Sequence, residues 1–277
     1  MDEITSISGA MCVITCRLHT KHLSISYSRD YTRVELRGYI MTLTKAVVTG
    51  AGQGMGRSIA MKLAKQGLSV VLIGKTSAKL EKVANEIQAA GGSAQAYHLD
   101  VTDDAGVEAF ATWLGDEAVD VLVNNAGDWL VEPFETTENA QFDHIMDVNL
   151  RAPYVLSRAL LQNLRKSDNA SIVNIGSIVT VESHGGVTAY TAAKVGLRAL
   201  GNSLAAELRP ERIRVMMLSP GPANTPMRWD ASPDIDPKML VEPETIAEVL
   251  WTMVSLPHGI SIRDVVVVES LYLVMDD

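Results

Sequence analysis

The sequence predicts a single α/β domain over residues 41–277, built on a doubly wound parallel sheet of about seven strands. Short apolar runs such as KAVVT (45–49) alternate with stretches of helical periodicity throughout this region. A glycine-rich turn, GAGQGMG, joins the first of these strands to the first helix. Strand, turn and helix in regular alternation are typical of a parallel sheet covered by helices on both faces.

In the first half of the domain, apolar and β-branched runs indicate the strands, and glycines indicate where helices end. Val, Ile and Leu in short blocks indicate buried strands, and the pair Gly91–Gly92 marks the end of a helix for which Ser77 is a suitable N-cap. We therefore expect, in order, strand Lys45–Thr49, a helix after the glycine turn, strand Ser69–Ile73, helix Ser77–Ala90, strand Ala94–Leu99, helix Asp103–Trp113 and strand Val119–Val123.

The second half follows the same alternation with longer helices. A proline-rich stretch, Pro222–Leu240, lacks periodicity and is interpreted as an irregular lid. The expected elements are a long helical region Thr136–Leu164, strand Ser171–Ile175, a helix containing Tyr190, strand Arg214–Leu218, helix Pro243–Leu256 and strand Asp264–Val268.

Composition excludes several classes of function. The chain has 277 residues, of which 47% are apolar and 21% charged, with a net charge of −9 and a pI near 5.2. Such an acidic balance disfavours nucleic acid or an anionic membrane surface as a partner. No uncharged apolar run approaches the roughly 18 residues needed to cross a bilayer. Cys12 and Cys16 form neither a disulfide framework nor a good metal site, so we expect a cytoplasmic protein without a bound metal.

Residues 1–40 differ from the remainder. They are rich in Ser and Thr and lack sustained periodicity. Asp2 and Glu3 stand where a secretory signal would be positively charged. We interpret the segment as a poorly ordered extension or an upstream read-through, with Met41 as the native start; N-terminal sequencing of the native protein would test this.

The glycine turn has the context of a phosphate-binding loop. Gly50 permits a tight turn, Gly54 lets a pyrophosphate approach the helix N-terminus, and Gly56 allows the helix to pack closely on the strand. The spacing is Gly-x-x-x-Gly-x-Gly rather than the commoner Gly-x-Gly-x-x-Gly. A purely structural glycine loop is the alternative.

The end of the second strand indicates which dinucleotide is bound. An acidic residue there binds the ribose 2′-hydroxyl of NAD, whereas a basic one accommodates the 2′-phosphate of NADP. This chain has Gly74 and Lys75 at that place and no carboxylate. We therefore predict NADPH over NAD, the alternative being a solvated lysine that opens a helix.

Ser177, Tyr190 and Lys194 form the candidate reaction centre. Tyr190 and Lys194 are four apart in a helical segment and so share one face, while Ser177 follows a buried strand. An ammonium beside a phenol is expected to lower the phenol's pKa and fit it for proton transfer to a carbonyl. Alternatively, the pair is a half-buried tyrosine and a solvated lysine on a surface helix.

Taken together, these motifs resemble those of the short-chain dehydrogenase/reductase family, over essentially Met41–Asp277. The resemblance is carried by TGAGQGMG (49–56), DV (100–101), NNAG (124–127), VN (148–149), Ser177, YTAAK (190–194) and PGPANT (220–225). It implies a Rossmann fold and hydride transfer between NADPH and a carbonyl or secondary alcohol.

The resemblance also implies a role for each matching residue. Tyr190 would be the general acid or base, Lys194 its partner, Ser177 the group that polarises the carbonyl, and Asn149 the holder of a water for proton resupply; a helix-bonded structural amide is the alternative for Asn149. The cofactor would be bound by Gly50, Gly52, Gln53, Gly54, Met55, Gly56, Lys75, Asp100, Val101, Asn124, Ala126, Gly127, Tyr190, Lys194, Pro220, Gly221 and Thr225.

Substrate and assembly are less narrowly implied. The tail from Val241 is similar to NADP-dependent 3-hydroxy acid and carbonyl reductases of the family; a 3-oxoacyl-carrier-protein reductase is one alternative and a non-catalytic dinucleotide sensor another. Trp129 and Trp229 flank a substrate pocket or pack in the core. The family resemblance implies a homodimer or homotetramer.

Overall fold

The computed structural model describes residues 43–231, 233–258 and 260–270, together with three strands among the first 42 residues. The chain divides into two units, 1–42 and 43–277. In the first unit, strands β1 (Cys12–Leu18), β2 (Lys21–Tyr27) and β3 (Val34–Arg37) form an antiparallel sheet in the order β1-β2-β3. The rest of that unit, Met41 included, lies outside the described residues, and the interpretation of residues 1–40 stays a prediction.

The second unit alternates strand and helix. Its first half contains β4 (Lys45–Thr49), α1 (Gly54–Lys65), β5 (Ser69–Gly74), α2 (Ser77–Ala89), β6 (Ser93–His98), α3 (Asp104–Leu114) and β7 (Val121–Asn124). Its second half contains α4 (Asn139–Met146), α5 (Ala152–Ala159), α6 (Leu161–Arg165), β8 (Ser171–Ile175), α7 (Thr188–Glu207), β9 (Arg214–Pro220), α8 (Pro226–Ala231), α9 (Pro243–Val254) and β10 (Asp264–Val267).

The seven strands of this unit form one parallel sheet in the order β10-β9-β8-β7-β4-β5-β6. The chain runs outward from β4 through β5 to β6, then returns to β7 on the other side of β4 and runs outward again. The order therefore reverses between β4 and β7, and ligands of open α/β sheets bind in the crevice beyond the carboxyl ends of such strands. The predicted doubly wound α/β sheet is confirmed.

Alternate residues of the strands pack into two separate cores, one on each face of the sheet. On β4, Ala46 and Val48 point into the core beneath α1, α2 and α9, whereas Val47 points into the core beneath α3 and α5. Because both faces are covered, the central strands read as continuous apolar runs rather than as an alternating pattern. For this reason, apolar runs in the sequence are sufficient to predict the strands.

The structure differs from the predicted elements at two places. The helical region expected over 136–164 contains a π-helical turn, Asp147–Arg151, between α4 and α5. The lid expected to be irregular contains helix α8 and a single 3₁₀ turn, Pro237–Met239, whose N-cap Asp236 accepts a bond from the Lys238 amide. All three elements are too short to produce a periodic sequence signal.

No helix among the described residues is long and apolar enough to span a bilayer. Nor do three or more His, Cys, Asp or Glu side chains of those residues cluster as metal ligands would.

Candidate active site

Thr49, the last residue of β4, forms hydrogen bonds across the point where the strand order reverses. Its hydroxyl donates to the Val123 carbonyl at 3.2 Å and accepts from the backbone N–H groups of Asn125 and Ala126, both at 2.9 Å. The side-chain Nδ2 of Asn125 in turn donates to the Thr49 carbonyl at 2.8 Å. The carboxyl ends of β4 and β7 are thereby held in register at the floor of the crevice.

The glycine turn passes closely over this floor. Gly50 and Gly54 adopt φ of 63° and 52°, the left-handed region that glycine enters without a steric penalty. Gly56 is required for a different reason, because a Cβ there would lie 2.2 Å from the Gly50 carbonyl oxygen and 2.5 Å from the Asn125 amide nitrogen. The turn thus leaves the backbone N–H groups at the N-terminus of α1 without side chains over them. Free N–H groups at such a helix end attract anions.

A crevice of about 330 Å³ runs from the glycine turn to the candidate reaction centre. It brings together most of the residues predicted to bind a cofactor, drawn from the ends of four strands, from α7 and from the lid. Those lining it are Gly50, Gly52, Gln53, Gly54, Met55, Gly56, Lys75, Asp100, Val101, Ala126, Gly127, Tyr190, Lys194 and Thr225, with Asn149 beside them.

Three of the predicted cofactor residues do not line this crevice. Asn124 is buried beneath it, and its amide donates to Ser157 at 3.1 Å and to Asn174 at 2.9 Å, so its role here is to join β7 to its neighbours. Pro220 and Gly221 lie instead beside a second cavity. The Gly221 N–H donates to the Val267 carbonyl at 2.7 Å, which ties the end of β9 to β10.

Among the crevice residues that sequence reasoning missed, Asn125 and Lys79 are polar and form hydrogen bonds to the glycine turn. Asn125 lines the crevice and also fastens the glycine turn; it lies within the NNAG motif, which could have indicated it. Lys79 lines it from α2 and donates to the Gln53 side chain at 2.5 Å. Lys79 carried no signal, because one exposed lysine on a helix resembles any other.

Lys75 and Asp100 face each other at the far end of the crevice, with 3.8 Å between Nζ and Oδ2. Burial disfavours the ionised form of Asp100, but hydrogen bonds from Thr102 and the charge of Lys75 together hold the pKa of this carboxyl below its usual value. Both side chains are substantially exposed, so the pair is weak and either partner can turn towards a ligand.

At the other end, Ser177 and Tyr190 are both buried, and the Ser177 hydroxyl hydrogen-bonds the phenol. The 3₁₀ turn Ile178–Thr180 begins directly after Ser177, and the Ser177 hydroxyl lies near the start of α7, where Tyr190 is located. Burial raises the pKa of Tyr190 to about 12, and the bond from Ser177 offsets only part of that rise. The net direction is opposite to the lowering expected from the sequence, because desolvation of the phenolate outweighs the nearby groups.

Lys194 lies over the ring of Tyr190. Its Nζ is 5.6 Å from the centre of the Tyr190 ring and donates to the Ile175 carbonyl at 3.0 Å. The ammonium is fully enclosed, and burial lowers its pKa to about 8. No carboxylate among the described residues forms an ion pair with it, so the charged form of this lysine is costly to keep in the fold.

Asn149 sits in the π turn, which is a feature often found at functional sites. Its amide nitrogen donates to the Asp128 and Ile145 carbonyls, both at 3.0 Å, and this fixes the side chain. Its oxygen Oδ1 is buried without a hydrogen-bond partner. A Cβ placed on Gly127 would lie 2.7 Å from that oxygen and 3.5 Å from Lys194 Nζ, so Gly127 keeps open a small space that both groups face.

A second cavity of about 350 Å³ adjoins the crevice at Tyr190, and Met55 and Thr225 line both. Its other walls are mainly apolar, with Trp129 packed edge-on against the Tyr190 ring at 4.7 Å between ring centres. Ser177 faces this cavity. The phenol and the serine hydroxyl therefore lie where a long crevice meets a short apolar pocket.

The buried ammonium gives a testable pH dependence of stability. For Lys194→Met we expect a higher Tm at pH 7, since the shift from 10.5 to about 8 corresponds to about 3 kcal/mol, less about 1 kcal/mol for the lost bond to Ile175. Because the folded pKa lies below the unfolded one, wild-type stability should rise between about pH 8 and 10 and the advantage of the variant should shrink. Tm values of both proteins across this range test it; a constant difference would contradict it.

Comparison with known proteins agrees with the fold and the motifs. Residues 44–236 match the family model described as short chain dehydrogenase. A cyclopentanol dehydrogenase from a Comamonas species is 35% identical over 183 residues, which span 65% of this chain and 73% of that protein.

Solved structures show the same likeness. A metagenomic short-chain oxidoreductase in complex with NADP is 36% identical, with a TM-score of 0.72 over 82% of this chain and 96% of its own. An alcohol dehydrogenase from Thermococcus sibiricus, complexed with 5-hydroxy-NADP, is 28% identical, with a TM-score of 0.76 over 83% of this chain and 98% of its own. The chain belongs to the short-chain dehydrogenase/reductase family.

Proposed function

We propose that the protein is an NADP(H)-dependent oxidoreductase that interconverts a small carbonyl compound and its secondary alcohol. The observation that carries this proposal is the meeting of Ser177, Tyr190 and Lys194 where the crevice that begins at the glycine turn meets an apolar pocket. A cytoplasmic location fits a nicotinamide-dependent reductase and remains part of the proposal.

The residues of the crevice fit the proposed cofactor along its whole length. The bare N-terminus of α1, over which Gly54 and Gly56 keep the backbone open, suits a pyrophosphate. Lys75, with Lys79 close by on the crevice wall, suits a 2′-phosphate. The unpartnered Oδ1 of Asn149 next to Lys194 suits a water or a hydroxyl group near the reaction centre.

NADPH, when bound, supplies the hydride that goes to the carbonyl carbon. The chain's own residues handle the oxygen: Ser177 donates a hydrogen bond to it, and Tyr190 delivers the proton that completes the alcohol. With the pKa of its phenol raised to about 12, Tyr190 is protonated at neutral pH, which is the form that reduction requires. Lys194, whose pKa burial lowers to about 8, can release a proton near neutrality and so pass one inward from the space beside Asn149.

The apolar pocket and the relatives favour small substrates. Its walls include Trp129, Val131 and Val187, which suit the hydrocarbon part of a compact substrate. Relatives include a cyclopentanol dehydrogenase and an alcohol dehydrogenase. A spectrophotometric panel of cyclic and linear ketones with NADPH and NADH tests the proposal. Tight cofactor binding without turnover of any carbonyl would instead favour the dinucleotide sensor, and turnover confined to acyl-carrier-protein thioesters would favour the 3-oxoacyl reductase.

The choice of cofactor can be reversed at one residue. For Lys75→Asp we expect the NADPH-over-NADH ratio of kcat/KM to fall about 100-fold, because a carboxylate, added to that of Asp100 nearby, repels the 2′-phosphate. Lys82→Asp on the exposed side of α2 makes the same charge change outside the crevice and should leave the ratio within about twofold. An unchanged ratio in Lys75→Asp would discredit the assignment.

We also propose that the protein assembles through the helices around the site. Large apolar side chains are exposed on α4 (Phe142, 41%), α5 (Tyr154, 44%) and α7 (Val195, 43%). Burial of such a surface against a second copy would remove it from water. Light scattering coupled to size exclusion should give the mass of a dimer or tetramer; a monomer at micromolar concentration would contradict this.

A further inference from the structure

Two residues that line the apolar pocket have side-chain N–H groups without acceptors. Arg228, on the lid helix α8, has its Nε buried, and Trp129 has its indole Nε1 buried. Among the residues that the structure describes, no oxygen accepts a hydrogen bond from either nitrogen. Buried donors are nearly always paired, so two unpaired ones in one cavity call for an external partner.

The charge of the pocket is also unbalanced. Arg228 is the one side chain with a fixed charge among the described residues that line it, and no Asp or Glu lies among them. The chain as a whole carries a net charge of −9, so this cation stands out against its surroundings. Arg228 is half-buried, and an anion beside a partly desolvated guanidinium offsets the cost of removing that charge from water.

We propose that the substrate of this site is a small oxo acid, or the matching hydroxy acid, whose carboxylate is bound by Arg228 with the indole N–H of Trp129 close by. The proposal rests on the function proposed above and specifies its substrate class. Its carbonyl would lie at Ser177 and Tyr190, its carboxylate at the lid, and the carbons between them against the apolar walls.

The chemistry of the donors selects a carboxylate. The planar fork of a guanidinium matches the two oxygens of a carboxylate, and the charge makes such bonds about twice as strong as neutral ones. A phosphate monoester, with nearly two negative charges, would be left with a single fixed cation in this pocket. A cavity of about 350 Å³ holds a chain of a few carbons between the two ends.

The test compares straight-chain oxo acids, with the ketone at positions 2 to 5, against their methyl esters, which keep the shape and lose the charge. Wild-type protein should prefer at least one acid over its ester by about tenfold or more in kcat/KM. Arg228→Met should lower that acid-over-ester ratio by about 100-fold, and Trp129→Phe, which removes the N–H together with the five-membered ring of the indole, by about fivefold. Arg228→Lys keeps the charge without the fork and should fall between wild type and Arg228→Met.

Arg209→Met, on an exposed turn after α7, is the matched control and should keep the wild-type ratio. Turnover of the esters with no preference for any acid, or an unchanged ratio in Arg228→Met, would overturn the substrate class and leave the oxidoreductase proposal standing. If Arg228→Met raised the KM for NADPH rather than the KM for the acid, Arg228 would be a cofactor-binding residue, and the proposed substrate class would equally be overturned. No NADPH oxidation with any member of the panel would remove the proposed function and this inference with it.

Discussion

Tyr190→Phe is expected to lower kcat/KM for NADPH-dependent carbonyl reduction by about 10³-fold or more. The substitution removes one oxygen from a side chain that is buried between the crevice and the apolar pocket. It deletes the proposed proton donor and leaves the ring, which packs on Trp129, in place. Steady-state rates at pH 7 measure the loss, and fluorescence titration of NADPH should show a dissociation constant within about threefold of wild type.

Tyr154→Phe provides the matched control. Tyr154 lies on α5 with a side chain that is 44% exposed and outside the crevice, so removal of its hydroxyl should leave kcat/KM unchanged. If Tyr190→Phe retained wild-type activity while it still bound NADPH, Tyr190 would not be the proton donor. A loss of both activity and cofactor binding would point to a structural role for the phenol.

Gly56→Ala is expected to cost about 3 kcal/mol of stability, which lowers Tm by about 10 °C in a domain of this size. The added methyl group would lie 2.2 Å from the Gly50 carbonyl oxygen, a backbone atom that cannot rotate away. Relief requires the glycine turn to move off the end of β4, so the KM for NADPH should rise together with the loss of stability. Differential scanning calorimetry and initial rates measure the two effects.

Gly185→Ala is the control for the glycine substitution. A Cβ at Gly185 meets nothing within 4 Å, and no strain from its backbone angle is expected. Its Tm should stay within about 1 °C of wild type. Equal losses in the two variants would show that the tight contact at Gly56 is not what limits the turn.

The sheet could be predicted because its strands are buried on both faces. Runs such as Lys45–Thr49 and Ser171–Ile175 have the same bounds in the structure as in the prediction, since a strand covered on both sides is apolar at nearly every position. The π turn at Asp147–Arg151 could not be predicted, because a single widened turn changes no periodicity that a sequence window can detect.

The sequence predicted most of the residues that meet at the candidate site, but it predicted their electrostatics less well. Spacing brings Tyr190 and Lys194 onto one helical face, but it does not say that the ammonium points to the Ile175 carbonyl instead of the phenol's oxygen. The pKa of Tyr190 therefore rises where a fall was expected, because burial is a property of the whole fold. Arg228 escaped notice for a similar reason: only the folded lid shows that its Nε is covered and unpaired.

The measurement that tests the central claim most directly is the transfer of deuterium from NADPH labelled at C4 of the nicotinamide. With a turned-over ketone and each of the two C4-labelled forms in separate reactions, mass spectrometry of the alcohol reports the fate of the label. The account predicts one deuterium at the carbinol carbon from one labelled form and none from the other, because a nicotinamide ring bound in the crevice would turn a single face towards the pocket that contains Ser177 and Tyr190. An alcohol without deuterium from either form would contradict it.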